Sequence, residues 1–145
     1  MTPVEQSLAR LVAFPTVSDQ PVEPLVAWLA DRCDSAGLRV ERIIAAPGKC
    51  NLLCSAGPVG TDGILLSGHM DVVPVVGQPW ETDPFTMTRQ GERLYGRGTC
   101  DMKAFIALAL AHVDAARAAA LKRPIVLALS YDEEIGCLGA PSMIA

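Results

Sequence analysis

The chain of 145 residues is long enough for one domain with a real core, and with half its residues apolar and 19% charged it reads as globular rather than disordered. A net charge of −4 and a pI near 5.1, with the 12 basic residues scattered, exclude the clustered cationic surface that nucleic-acid phosphates require. The most apolar long segment, residues 104–121, is interrupted by His112, Asp114 and Arg117, short of the about 20 uninterrupted apolar residues of a membrane span.

Thr2 and Glu5 form a capping-box pattern with Pro3 at the first helical position, so a helix is expected at once, with Val4, Leu8, Leu11 and Val12 on one face. Phe14-Pro15-Thr16 ends it. A second helix is predicted from Val22 to Ala36, its apolar stripe carried by Val22, Leu25, Val26, Leu29 and Cys33, and Gly37 stands where a left-handed C-cap belongs. Two short strands follow, over Arg39–Ile44 and Asn51–Ser55.

Residues 57–63 read as a turn, and Ile64-Leu65-Leu66-Ser67 as a strand buried on both faces. A long Pro-rich loop from Met70 to Arg93 comes next. Asp101 is placed to cap an Ala- and Leu-rich helix over Met102–Ala119, and Ile125–Ser130 reads as another buried strand. Strand, helix, strand in this order is a βαβ crossover, so these two strands should be parallel and the fold class is α/β.

The N-terminus has no basic segment followed by an apolar run, so no signal peptide is read there and a cytoplasmic protein is expected. Cys33, Cys50, Cys54, Cys100 and Cys137 are an odd number, expected as reduced structural thiols; Cys50 and Cys54 lack a second Cys/His pair at zinc-finger spacing. His112, beside Ala111 and Val113 in the predicted helix, reads as structural.

Three polar clusters lie just beyond strand or helix boundaries, where open α/β sheets place their sites: His69-Met70-Asp71, Asp101, and Asp132-Glu133-Glu134. Parallel strands and their crossover would bring them to one sheet edge. Imidazole and carboxylates together are ligands that a divalent ion such as zinc accepts. His69 and Asp71, two apart in extended chain, share a face, and a carboxylate there can fix which imidazole nitrogen meets the metal. Asp101 has two oxygens and could bridge two ions. Glu133 and Glu134 are adjacent and must diverge, one to metal and one to proton transfer.

Ser67-Gly68-His69-Met70-Asp71-Val72-Val73-Pro74, Leu94-Tyr95-Gly96-Arg97-Gly98-Thr99-Cys100-Asp101-Met102-Lys103 and Tyr131-Asp132-Glu133-Glu134-Ile135-Gly136-Cys137-Leu138-Gly139-Ala140 resemble the signature blocks of a metallo-amidohydrolase family. That family contains acetylornithine deacetylases, succinyl-diaminopimelate desuccinylases, aminoacylases and related carboxypeptidases, and the last block is most similar to its acetylornithine deacetylase branch. The resemblance implies a di-zinc aminopeptidase-like catalytic domain with a mixed or parallel sheet and helices on both faces. It implies that His69 binds one Zn2+, that Asp101 bridges two, and that Glu134 binds the second, with Co2+ as an alternative metal. Asp71 would orient His69, and Glu133 would be the general base. Met70 stands where Thr is more usual and Cys100 where Ala or Ser often sits, departures expected to adjust packing rather than chemistry. The substrate implied is a small N-acyl amino acid, N2-acetyl-L-ornithine before N-succinyl-diaminopimelate, and the complete protein is expected to be a homodimer.

The family pattern needs two more ligands, a carboxylate beyond the Glu-Glu pair and a late His, together with a smaller second domain. None of these is found up to Ala145, so residues 1–145 are expected to be the truncated N-terminal portion of the catalytic domain, inactive alone. Two rivals carry less. Gly96-Arg97-Gly98-Thr99-Cys100-Asp101 begins like a dinucleotide fingerprint, but its closing Asp would sit against pyrophosphate. A non-catalytic remnant or interaction protein would not require both Asp71 and Glu133.

Overall fold

A computed structural model describes residues 1–144 of the chain. Helix α1 spans Pro3–Val12 and opens on the predicted capping box: Glu5 N–H donates to Thr2 Oγ1 at 3.2 Å while Thr2 N–H donates to Glu5 Oε2 at 2.9 Å. Helix α2 spans Glu23–Ser35, and Gly37 beyond it takes φ +79°, the left-handed conformation that a helix C-cap demands. Strands β1 (Arg39–Ala46) and β2 (Lys49–Ala56) form an antiparallel hairpin. Strand β3 (Ile64–His69) follows, and β4 (Thr88–Gln90) and β5 (Arg93–Tyr95) make a small separate hairpin at the end of what the sequence suggested was loop alone.

The predicted 102–119 helix is two helices, α3 (Lys103–Ala111) and α4 (Val113–Ala118). The break falls at His112, which is exposed, and its ring Nδ1 lies 2.8 Å from Leu108 O. Nor does Asp101 cap α3: the N-cap is Met102, with no side-chain cap. Strand β6 (Ile125–Ser130) and the short helix α5 (Pro141–Ile144) complete the described residues.

The main sheet has the order β1-β2-β6-β3. β6 pairs antiparallel with β2 and parallel with β3, in a register that sets Gly68 beside Leu129 and His69 beside Ser130. The β3–α3–α4–β6 unit is thus the predicted crossover, in a mixed sheet. Side chains alternate along β2: Cys50, Leu52, Cys54 and Ala56 are buried on the face covered by α1 to α4, whereas Asn51 points to the opposite face and meets Gly139 and Ser142. The core lies between helices and sheet, with Leu11, Leu25, Leu29, Leu52, Ile106 and Leu129 fully inaccessible.

The expectation of β3 buried on both faces fails at its first residues. Ile64 and Leu65 are 61% and 63% exposed, because β3 is an edge strand among the described residues and no element covers this end. The thiols are all free, but only Cys33, Cys50 and Cys54 are buried; Cys100 and Cys137 are exposed and so do not act as core packing. Met70, by contrast, is fully buried.

Candidate metal centre

The C-terminal ends of β3 and β6 lie side by side, so the segments that leave them meet. His69 ends β3, and Asp101 comes from the turn before α3. Glu133 and Glu134 follow β6 in a turn whose first residue, Asp132, adopts φ +50°. One ligand atom from each of His69, Asp101 and Glu134 lies within 4.8 Å of the others. His69 Nε2 is 3.1 Å from Asp101 Oδ1 and 3.8 Å from Glu133 Oε2. All three clusters singled out from the sequence therefore converge.

This donor set fits a divalent cation of the zinc or cobalt kind: one imidazole nitrogen and two carboxylates, around a point open to solvent on the Asp101 side. Among the described residues it is the single such cluster. The carboxylates also crowd one another. Burial, and then the nearby Asp101, raise the pKa of Glu134, a repulsion that a shared cation relieves.

His69 is held from behind. Its Nδ1 lies 3.0 Å from the backbone oxygen of Asp71 and 3.5 Å from the Asp71 carboxylate, which leaves Nε2 to face the cluster. Burial opposes a charge on this imidazole, but the bonds and charge of Asp71, then Asp101, outweigh it and raise its pKa to about 9 without metal. Asp71 has no exposed surface. Burial alone would raise its pKa; hydrogen bonds from His69, from the Ser18 hydroxyl and from the backbone N–H groups of Glu133 and Glu134 prevail and lower it to about 2. Glu133 N–H donates to Asp71 Oδ1 at 2.9 Å and Glu134 N–H to Oδ2 at 3.2 Å, so one buried carboxylate joins the two acidic segments.

Residues 65–145 match the model of peptidase family M20/M25/M40. The chain belongs to that family. Members of family M20/M25/M40 are hydrolases, and their metallopeptidases depend on bound metal. The chain is 37% identical to the acetylornithine deacetylase of Salmonella arizonae, an alignment covering 97% of this chain and 38% of that protein. Human carnosine dipeptidase 1 superposes with a TM-score of 0.81 at 28% identity, over 97% of this chain and 34% of that one. An M20 metallo-carboxypeptidase from Sulfolobus solfataricus shares the fold with a TM-score of 0.84 at 21% identity, over 99% of this chain and 34% of its own. The chain thus spans only a little over a third of the length of these relatives.

Several residues hold the site through bonds that no local pattern in the sequence signals. Asn51, fully buried, donates to Gly139 O at 2.8 Å and accepts from Tyr131 N–H at 3.2 Å, clamping both ends of the Glu133–Glu134 turn. Asp132 turns away from the cluster and pairs with Lys49 at 2.6 Å. Lys103, the bulkiest fully buried side chain, donates to Leu11 O at 2.9 Å and Phe14 O at 2.7 Å, a second bond for two carbonyls at the end of α1 that already accept from the Phe14 and Thr16 N–H groups. Burial lowers its pKa to about 7, against the pull of Asp71. These partners lie up to 92 positions apart, beyond the reach of any local pattern.

Proposed function

We propose that this protein hydrolyses the amide bond of an N-acyl amino acid with the help of divalent metal ions, and that its substrate is N2-acetyl-L-ornithine, released as L-ornithine and acetate. The observation that carries this reading is 37% identity with an acetylornithine deacetylase along 97% of the chain. The convergence of His69, Asp101 and Glu134 at the same sheet edge supports it.

In this reading His69 would hold one zinc ion and Glu134 a second, and Asp101, with two carboxylate oxygens, would serve both. Metal bound there supplies Lewis acidity, which activates water and favours charge on the amide oxygen. The remaining work belongs to side chains. Asp71 keeps the His69 ring turned so that Nε2 faces the cluster. Glu133 is partly exposed and its Oε2 is 3.8 Å from His69 Nε2, within reach of a water beside the cluster. It takes the proton as that water attacks the carbonyl carbon, and returns it to the nitrogen as the C–N bond breaks.

The test is turnover of N-acetylornithine, N-succinyl-diaminopimelate and a dipeptide by the protein at the full length of its reading frame, with zinc or cobalt and after chelation. Metal-dependent hydrolysis with N-acetylornithine preferred is expected. Preference for the dipeptide would favour a peptidase instead, the reading to which 28% identity with carnosine dipeptidase points. Absence of hydrolysis with every substrate would favour a non-catalytic protein.

A further inference from the structure

The segment from Leu11 to Asp19 contains none of the expected ligands, yet it bonds to each of the three segments that do. Thr16 Oγ1 donates to Met70 O at 2.6 Å, Val72 N–H donates to Thr16 O at 2.9 Å, and Ser18 N–H donates to Val72 O at 3.0 Å. The loop therefore runs beside residues 70–72 as a short parallel bridge between Val17 and Val72. Asp19 N–H donates to Asp132 Oδ1 at 2.9 Å, reaching the turn that carries Glu133 and Glu134. Lys103 joins the same segment to the start of α3, two residues after Asp101.

Ser18 is the link with chemical consequence. Its hydroxyl donates to Asp71 Oδ2 at 2.7 Å, the shortest bond that this buried carboxylate receives. Val72 O is also near, at 3.3 Å, but the hydroxyl has one proton and the charged acceptor is the closer and stronger. Without it, Asp71 Oδ2 would keep only the Glu134 N–H at 3.2 Å, and the carboxylate would be free to rotate away from its place behind His69.

We infer that Ser18 is a positioning residue of the metal centre: through Asp71 it fixes the His69 ring, and its loop fixes the spacing between His69 and Glu134. This rests on the reading of His69, Asp101 and Glu134 as metal ligands. Partners one step removed from a metal ligand, as Asp71 is, commonly alter affinity by about 10–100-fold, and Ser18, one bond further out, acts at the lower end of that range.

The experiment compares Ser18→Ala and Ser18→Thr with the wild type at the full length of the reading frame. Zinc affinity is measured by chelator competition and ligand geometry by the visible spectrum of the Co2+ form. Ser18→Ala should weaken zinc binding by about 10-fold and alter the Co2+ spectrum, and Ser18→Thr, which retains the hydroxyl, should recover most of both. Should Ser18→Ala not fold, Thr16→Val, which removes only the bond to Met70 O, should shift affinity in the same direction by less. Wild-type affinity and spectrum in Ser18→Ala (or in Thr16→Val, where that stands in) overturn the inference and leave the proposed function intact. Equal losses in Ser18→Ala and Ser18→Thr also overturn it, since the hydroxyl would not be the cause. A wild-type protein that binds neither metal overturns both.

Discussion

The two ends of strand β3 are opposites. At its start Ile64 and Leu65 are 61% and 63% exposed, although they are the most apolar part of the strand. At its end Gly68 and His69 are buried, although neither carries an apolar side chain. What covers the end is specific: an added Cβ on Gly68 would meet Phe105 and Met102 at 3.1–3.2 Å, and His69 is lodged against Asp71. Burial along this strand thus follows its neighbours rather than its hydropathy. The polar end tolerates burial because nearly every donor and acceptor there is satisfied.

The largest effect is expected at the polar end. Glu133→Ala should reduce turnover by about 10²–10⁴-fold, the usual worth of a positioned acid–base group, while metal content measured by atomic absorption stays near the wild-type value. Parallel loss of metal would show Glu133 to be a ligand, or a support for one, and would remove its role in proton transfer.

A purely steric change should come next. Gly139 closes the turn that carries Glu133 and Glu134, and a Cβ there would stand 2.6 Å from Tyr131 O and 2.7 Å from Asn51 Oδ1. Backbone and a fully bonded buried amide cannot give way as a flexible side-chain tip does. Gly139→Ala should cost about 3 kcal/mol by denaturant unfolding, at the upper end of ordinary overpacking, and should weaken zinc binding as well. A stable variant with normal affinity would mean that Asn51 does not set the position of the turn.

The legible parts of the fold are those with local causes. The capping box at Thr2, the left-handed Gly37 and the parallel pairing of β3 with β6 all follow from short patterns, and so does the gathering of the three acidic and histidine clusters at one edge. The illegible parts depend on distant partners. Asp101 stands where a helix cap is expected, but its turn leaves α3 uncapped and carries the carboxylate toward His69. The β4–β5 hairpin is only three residues on each side, too short for alternation to register. Ser18, Asn51 and Lys103 are individually unremarkable in sequence, and they matter through bonds to residues 53 to 92 positions away.

Charge gives a smaller test of the buried end. In the metal-free protein the pKa of Asp71 is lowered to about 2, so its ionised form stabilises the fold above the ordinary value near 3.8, and this stability is lost as pH falls through about 2. Asp71→Asn should therefore cost about 2 kcal/mol at pH 7, and the gap from wild type should narrow below about pH 4 and close near pH 2. Unfolding curves at several pH values check this. A gap that does not change with pH would assign the cost to lost geometry rather than to charge.

The smallest effect is expected at the exposed end. Leu65 points away from the helices, beside Val126 on the next strand, and Thr is as well suited to a strand as Leu. In residues 1–145, Leu65→Thr should change unfolding free energy by no more than about 0.5 kcal/mol, as for other exposed positions. The same substitution at the full length of the reading frame sharpens the contrast. A cost there of about 2 kcal/mol, the worth of a buried aliphatic side chain, would show that further chain packs on this end of β3. The apolar start of the strand would then be a core position after all, and its two ends would differ only in which part of the protein buries them.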